Sequence, residues 1–239
     1  MAQTVTMPTS QPKAATKKSD SKSTLEKISE YIHRGIRSGR FAPGQHLLES
    51  DLTHQLGCSR GSLRPAMIHL AADGIITLSR FKGARISVLS RKAIYDLLDI
   101  LEVLMTFTAL KACGNMDTKN HRQLVEESIK ALKTSKNTGD NVEYLQNRQD
   151  FYDALITASG NTEVKQVIPL MRADLLRVQL QTMKGDLSRK DHIEGYELIA
   201  KALVEGSHAK AEKAVHKHYQ RARDLVASIP DSAFPQEAQ

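Results

Sequence analysis

The sequence predicts a mainly α-helical protein. Three short helices closed by a β-hairpin come first, and an antiparallel bundle of about six or seven helices follows. Three observations carry this. Apolar residues recur at i, i+3, i+4 and i+7 over most of the chain, the spacing of a helix with one buried face. The pattern switches once to strand-like alternation, between Ile75 and Val88. Short breakers such as "GNMD", "KNTGD" and "SGNTE" punctuate the rest, as loops between antiparallel helices do.

Residues 1–22 hold turn formers and lysines with almost no bulky apolar side chain, and read as a disordered tail. Leu25, Ile28, Ile32 and Ile36 then mark a first helix, ended at Gly39. "FAPGQHL" is a Pro-Gly turn. Leu48, Leu52 and Leu56 mark a second helix stopped by Gly57, and Leu63, Met67 and Leu70 a third. Ile75 to Leu78 favour strand, Lys82-Gly83 turns, and Ile86 and Val88 alternate. Residues 23–89 therefore read as a winged helix-turn-helix. After Ser90 the apolar stripes are all helical: Leu97, Leu101 and Met105 in one, Tyr152 and Leu155 in another, Met171, Leu175 and Val178 in a third, then Tyr196 and Ile199, and Val215 and His218. Residues 90–228 read as the bundle and 229–239 as a flexible C-terminal tail.

An apolar share of 40% supplies a real core, while the absence of tryptophan and an aromatic share of 5% disfavour a stacking platform for single strands or RNA. A net charge of +7 suits a polyanionic partner. Cys58 and Cys113 are the only cysteines, and their spacing fits neither a zinc site nor a disulfide framework. No apolar run spans a bilayer and the N-terminus lacks an apolar signal core, so the sequence predicts a cytoplasmic protein with no membrane partner.

The chemistry concentrates first in "GCSRGSLRPAMIHLAADGI". A helix fits the B-DNA major groove with its leading residues against base edges. Ser59, Arg60, Ser62 and Arg64 lie at that leading end, and the arginines are four apart, on one helical face. An arginine fork binds guanine bidentately and serine reaches phosphates or either base. Arg80, Lys82 and Gly83 form a basic wing tip suited to backbone or minor groove. Pro65 bears on where the helix starts. If Ser59 caps it, the proline is interior; if Ser62 caps it, the proline lies in the first turn, where no intrahelical donor is lost. The sequence favours Ser62, with Arg60 on the approach to the helix.

The run from "IRSGRFAPGQHL" through "SDLTHQLGCSR" and "LRPAMIHLAADGII" to "KGARI" resembles the winged helix of the GntR family of bacterial transcription regulators. The resemblance implies a homodimer on a pseudo-palindromic operator in double-stranded DNA, Arg60 and Arg64 as major-groove arginines, and Gly83 as the wing glycine. Pro65 stands where the family usually has glutamate, and Gly61-Ser62 where it has threonine-proline. "FYDALITASGN" and "YELIAKALVEGSHAKAEKAVHKHYQRA" resemble the all-helical, FadR-like (FCD) effector domain.

Many relatives of that type hold a divalent metal through an Asp, a His four residues on, and two further His. The matching positions here are Arg148, Tyr152, Tyr196 and His218, with His192 one turn before Tyr196. An arginine cannot donate a lone pair, so a metal is disfavoured and no cofactor is expected. Arg148 could fork a carboxylate instead, with Tyr152, His192, Tyr196 and His218 as hydrogen-bonding partners. Leu101 and Met105 stand where relatives often have an arginine and a glutamate, which implies a more apolar pocket. The sequence thus predicts a non-enzymatic, ligand-responsive regulator, a repressor of a catabolic operon released by an organic acid or phenolic effector. The competing readings are a metal-dependent regulator or helical-bundle metalloprotein, which lacks its Glu-x-x-His pairs, and a non-specific DNA binder.

Overall fold

A capping box opens the first helix, α1 (Thr24–Arg37): the Ser23 hydroxyl accepts from the Glu26 N–H and the Glu26 carboxylate from the Ser23 N–H. The computed structural model describes residues 23–79, 83–118, 120–136, 138, 140–184 and 189–235. The predicted tail at 1–22 and the wing-tip residues Arg80 and Lys82 lie outside them. Ile28, Ile32 and Ile36 bury one face of α1. Gly35 lets the Phe41 ring lie against the helix, where a Cβ would overlap it.

After the turn comes a two-residue strand, β1 (His46–Leu47), which the sequence reading treats only as part of the turn. Helices α2 (Glu49–Leu56) and α3 (Arg60–Ala72) follow, then the hairpin β2 (Ile76–Ser79) and β3 (Gly83–Ile86). The antiparallel sheet runs in the order β1-β3-β2, with Leu47 opposite Ala84 and Ile76 opposite Ile86. Two residues are too few to show alternation, so β1 leaves no sequence signal of its own.

The bundle comprises α4 (Arg91–Cys113), α5 (His121–Thr134), α6 (Asn141–Ser159), the single turn α7 (Val164–Val167), α8 (Leu170–Lys184), α9 (Arg189–Val204) and α10 (His208–Ala227). Helix α4 packs on α6 and α10, α5 on α6 and α9, and α9 on α10. Helix α8 lies along α1 of the winged helix. Side-chain hydrogen bonds join the halves. The Gln179 amide both donates to the Leu89 carbonyl and accepts from the Leu89 N–H, each at 2.8 Å. The Asn141 amide donates to the Arg37 carbonyl at 2.8 Å.

The predicted flexible tail needs correcting over 229–235. A 3₁₀ turn at Asp231–Ala233 follows α10, with Ile229 and Phe234 buried on either side. The cause is Arg91. Its guanidinium donates to the carbonyls of Val226 (2.8 Å) and Ile229, pairs with Asp231 at 2.6 Å, and lies 4.5 Å over the Phe234 ring. One cation satisfies a carbonyl in the last turn of α10 and pins the segment beyond it.

Candidate functional site

The reading helix starts one turn earlier than the sequence favours. Ser59 is the N-cap: its hydroxyl accepts from the Ser62 N–H at 3.2 Å and lies 3.1 Å from the Ser62 hydroxyl. Arg60 is the first helical residue and Pro65 the sixth. Pro65 offers no N–H to the Gly61 carbonyl, a local cost of about 3 kcal/mol in a helix interior. Gly61 and Pro65 are both exposed, so water can serve that carbonyl. On the opposite face Leu63, Ala66, Met67 and Leu70 are buried. Burying four such side chains outweighs one missing bond.

Arg60 therefore belongs to the helix proper, beside Arg64, and not to its approach. Ser59, Arg60, Ser62 and Arg64 are all exposed. Among the described residues neither arginine has an ion pair, so their guanidiniums are available to an incoming polyanion. Gly83 opens β3 opposite Ser79 with φ +70°, a left-handed conformation that favours glycine, and nothing crowds the space a side chain would fill.

The second candidate site is a cavity of about 450 Å³ in the bundle. The five residues predicted for it come together: Arg148 and Tyr152 on α6, His192 and Tyr196 on α9, His218 on α10. Arg148 is 5% exposed. It donates from Nε to the Tyr196 hydroxyl (2.8 Å) and from Nη2 toward the Tyr152 hydroxyl (3.5 Å). The two hydroxyls are 3.1 Å apart, and Tyr219 extends the chain to Tyr152 at 3.4 Å. The rings of His192 and His218 lie 4.9 Å apart, and those of Tyr196 and His218 4.4 Å. Gly195 makes room for the last contact, because a Cβ there would overlap the His218 ring.

Sequence reasoning missed the partner that matters most. Asp174 on α8 is 1% exposed and accepts from Arg148 Nη1 at 2.5 Å. Its other oxygen accepts from Arg37 Nε at 2.8 Å. Arg37, at the end of α1, also donates to Gln146 (3.1 Å) and Gln149. One buried carboxylate is therefore shared between the cavity and the winged helix. Arg148 is a partnered arginine, and not the free fork that the sequence suggests. Asp174 did leave a trace: it interrupts the apolar stripe of Met171, Leu175 and Val178. Its partners lie 26 and 137 residues away along the chain, and spacing along α8 says nothing of them.

Burial and the neighbouring Arg148 push the His218 imidazolium down to about 3. Burial and Arg177 hold His192 well below the usual histidine range, and its Nδ1 meets the Tyr144 hydroxyl. Burial raises Tyr196 and Tyr219 well above the ordinary phenol range. Near neutral pH the lining therefore includes neutral imidazoles, the neutral Tyr219 phenol and guanidinium cations, backed by Leu98, Leu101, Leu176 and Leu180, with Lys184, Asp191 and Asp224 also lining the cavity.

This donor set does not fit a divalent metal. Among the described residues, no three His, Cys, Asp or Glu side chains gather. His192 and His218 lie together, the interior carboxylate of Asp174 is held by two guanidiniums, and the Arg148 cation lies against the tyrosine hydroxyls.

Comparison with known proteins places both halves. The pattern of "Bacterial regulatory proteins, gntR family" matches residues 24–86, and that of the FCD domain residues 93–221. The chain is 24% identical over 220 residues to the probable D-xylose utilization operon transcriptional repressor of Paenarthrobacter nicotinovorans, covering 92% of this chain and 93% of that one. It is 23% identical over 214 residues to the gluconate operon transcriptional repressor of Bacillus subtilis (strain 168), covering 87% and 86%. The fold matches that of E. coli McbR/YncC with a TM-score of 0.73 at 17% identity, over 87% of this chain and 98% of that one. With a winged helix followed by an FCD bundle, the chain belongs to the GntR family of bacterial transcription regulators.

Proposed function

We propose that the protein is a homodimeric repressor of a catabolic operon, acting in the cytoplasm on a two-fold operator and released when a small organic acid or phenolic compound enters the FCD cavity. The observation that carries this reading is the shared carboxylate of Asp174. A ligand that draws Arg148 toward itself changes the balance of forces on Asp174, and Asp174 holds Arg37 at the end of α1. Helix α8 has its Arg177, Leu176 and Leu180 on the cavity and its Asp174 and Gln179 on the winged helix and linker. Ligand occupancy is thereby converted into a changed placement of the reading helix, a shift between DNA-competent and incompetent dimers.

Dimerisation is supported by α4, where Ile100, Val103 and Phe107 remain exposed along one line of the helix. Two copies would present two reading helices to two half-sites. No described helix is long and apolar enough to cross a membrane. The test is fluorescence anisotropy on the promoter of its own neighbouring genes against scrambled DNA, at fixed salt. Selective binding that persists in Asp174→Asn but no longer responds to ligand supports the reading. Equal affinity for both DNAs removes it.

A further inference from the structure

Arg177 on α8 differs from the other cations of the cavity. Arg148 is paired with Asp174 at 2.5 Å, and Arg221 with Glu194 at 3.3 Å. Lys184 donates to the Ser228 hydroxyl. Among the described residues Arg177 has no hydrogen bond and no ion pair; its one contact of note is the Tyr144 ring, 5.7 Å from its guanidinium carbon. A planar fork with five donors thus stands half-buried at the cavity with no hydrogen-bond acceptor among the described residues.

The charge count sharpens this. Arg37 and Arg148 share a single interior carboxylate, Asp174, and Arg177 lines the cavity beside them, so the inner end of the cavity carries surplus positive charge. The carboxylates of Asp191 and Asp224 line the cavity from the exposed ends of α9 and α10, and the Asp224 carboxylate already accepts from Gln220 at 2.8 Å. Lys184 and Arg221 line the same cavity. A half-buried cation without a counter-ion is only partly solvated in the empty protein, and an entering anion supplies the missing acceptor.

We infer that Arg177, and not a metal ion or Arg148, is the receptor for the anionic group of the ligand, and that the ligand is a monoacid with an apolar body. This rests on the reading of the cavity as the effector site. The guanidinium forks the carboxylate. Neutral His192 and His218, beside it, add hydrogen bonds without adding charge. Leu98, Leu101, Leu176 and Leu180 take the apolar body, and about 450 Å³ holds one ring with a short substituent. A neutral analogue of the same shape leaves Arg177 unpaired and binds poorly.

The experiment is thermal melting and calorimetry of the full-length protein with benzoate, phenylacetate and octanoate, and with benzamide as the neutral match of benzoate. At least one acid is expected to bind and raise the melting temperature, with benzamide weaker than benzoate. Arg177→Gln should weaken the acid by about 10- to 100-fold, the worth of a charge-assisted fork. Without ligand, Arg177→Gln should melt no lower than the wild type, because an unpaired cation has been removed. If Arg177→Gln leaves the acid within about twofold of wild-type affinity, the cavity reading stands and the role of Arg177 falls. A lower melting temperature for ligand-free Arg177→Gln would make the residue structural and overturn the inference. If neither the acids nor the amide bind, the cavity reading fails and takes the inference with it. Binding that needs added zinc or nickel would restore the metal and displace Arg177.

Discussion

Replacing Asp174 by asparagine keeps the side chain's shape and removes its charge. In the native protein that charge neutralises two guanidiniums, at 2.5 and 2.8 Å, in a site 1% exposed. Unit charges about 4 Å apart attract by about 4 kcal/mol at an effective dielectric of 20. Part of each attraction offsets desolvation, and the amide oxygen still accepts one hydrogen bond. Breaking one side of a buried pair typically costs about 3–5 kcal/mol, because it strands the partner. The expected loss for Asp174→Asn is in that range, a fall in melting temperature of about 10 °C for a chain of this size. The chain has no tryptophan, so far-ultraviolet circular dichroism is the suitable probe. Arg37→Met combined with Asp174→Asn should recover about 1–2 kcal/mol of the loss, since one stranded cation is gone. If Asp174→Asn melts within about 1 °C of the wild type, the carboxylate is not the link described above.

Arg60→Ala and Arg64→Ala should each cost about 1–3 kcal/mol of discrimination between operator and random DNA, because both lie on the first turns of α3; titration at fixed salt measures it, and uniform loss on both DNAs would assign them to phosphates. Gly195→Ala should destabilise by about 1–3 kcal/mol by pushing His218 off α9, and His218→Ala in the same chain should restore part of it in a urea melt. His218 sets a pH dependence. Its folded pKa is about 3 against an ordinary 6.5, so the unfolded chain takes up the proton first, and the stability it supports is lost as pH falls through that window. The full shift corresponds to about 5 kcal/mol. Urea midpoints measured from about pH 7 down to 4 should therefore fall less steeply in His218→Gln than in the wild type.

The fold was legible wherever a buried face recurs at a fixed spacing. Ile28, Ile32 and Ile36 announce α1, and Leu97, Leu101 and Met105 announce α4, because burial of a stripe dictates which residues a helix can carry. The start of α3 was less legible. Ser59 and Ser62 are both good caps, and the proline tips a local argument toward Ser62. The Ser59 hydroxyl takes the Ser62 N–H, and packing of Leu63, Ala66, Met67 and Leu70 against the core outweighs the proline. The predicted cavity residues converge because they lie at matching heights on three helices. Their chemistry was not legible in the same way: Arg148 reads as a free cation until Asp174 is brought to it from another helix. Arg177 is the converse case, an ordinary arginine in the sequence whose isolation exists only in three dimensions.

The Gln179 clamp has a consequence for how such a chain can change over time. Its amide grips the peptide group of Leu89 and not its side chain, so substitutions at position 89 leave the grip intact while a substitution at 179 releases it. Tolerance is therefore unequal across one contact. A chimera that grafts this winged helix onto a foreign sensor would keep its own linker and still lose its seat, unless α8 travels with it.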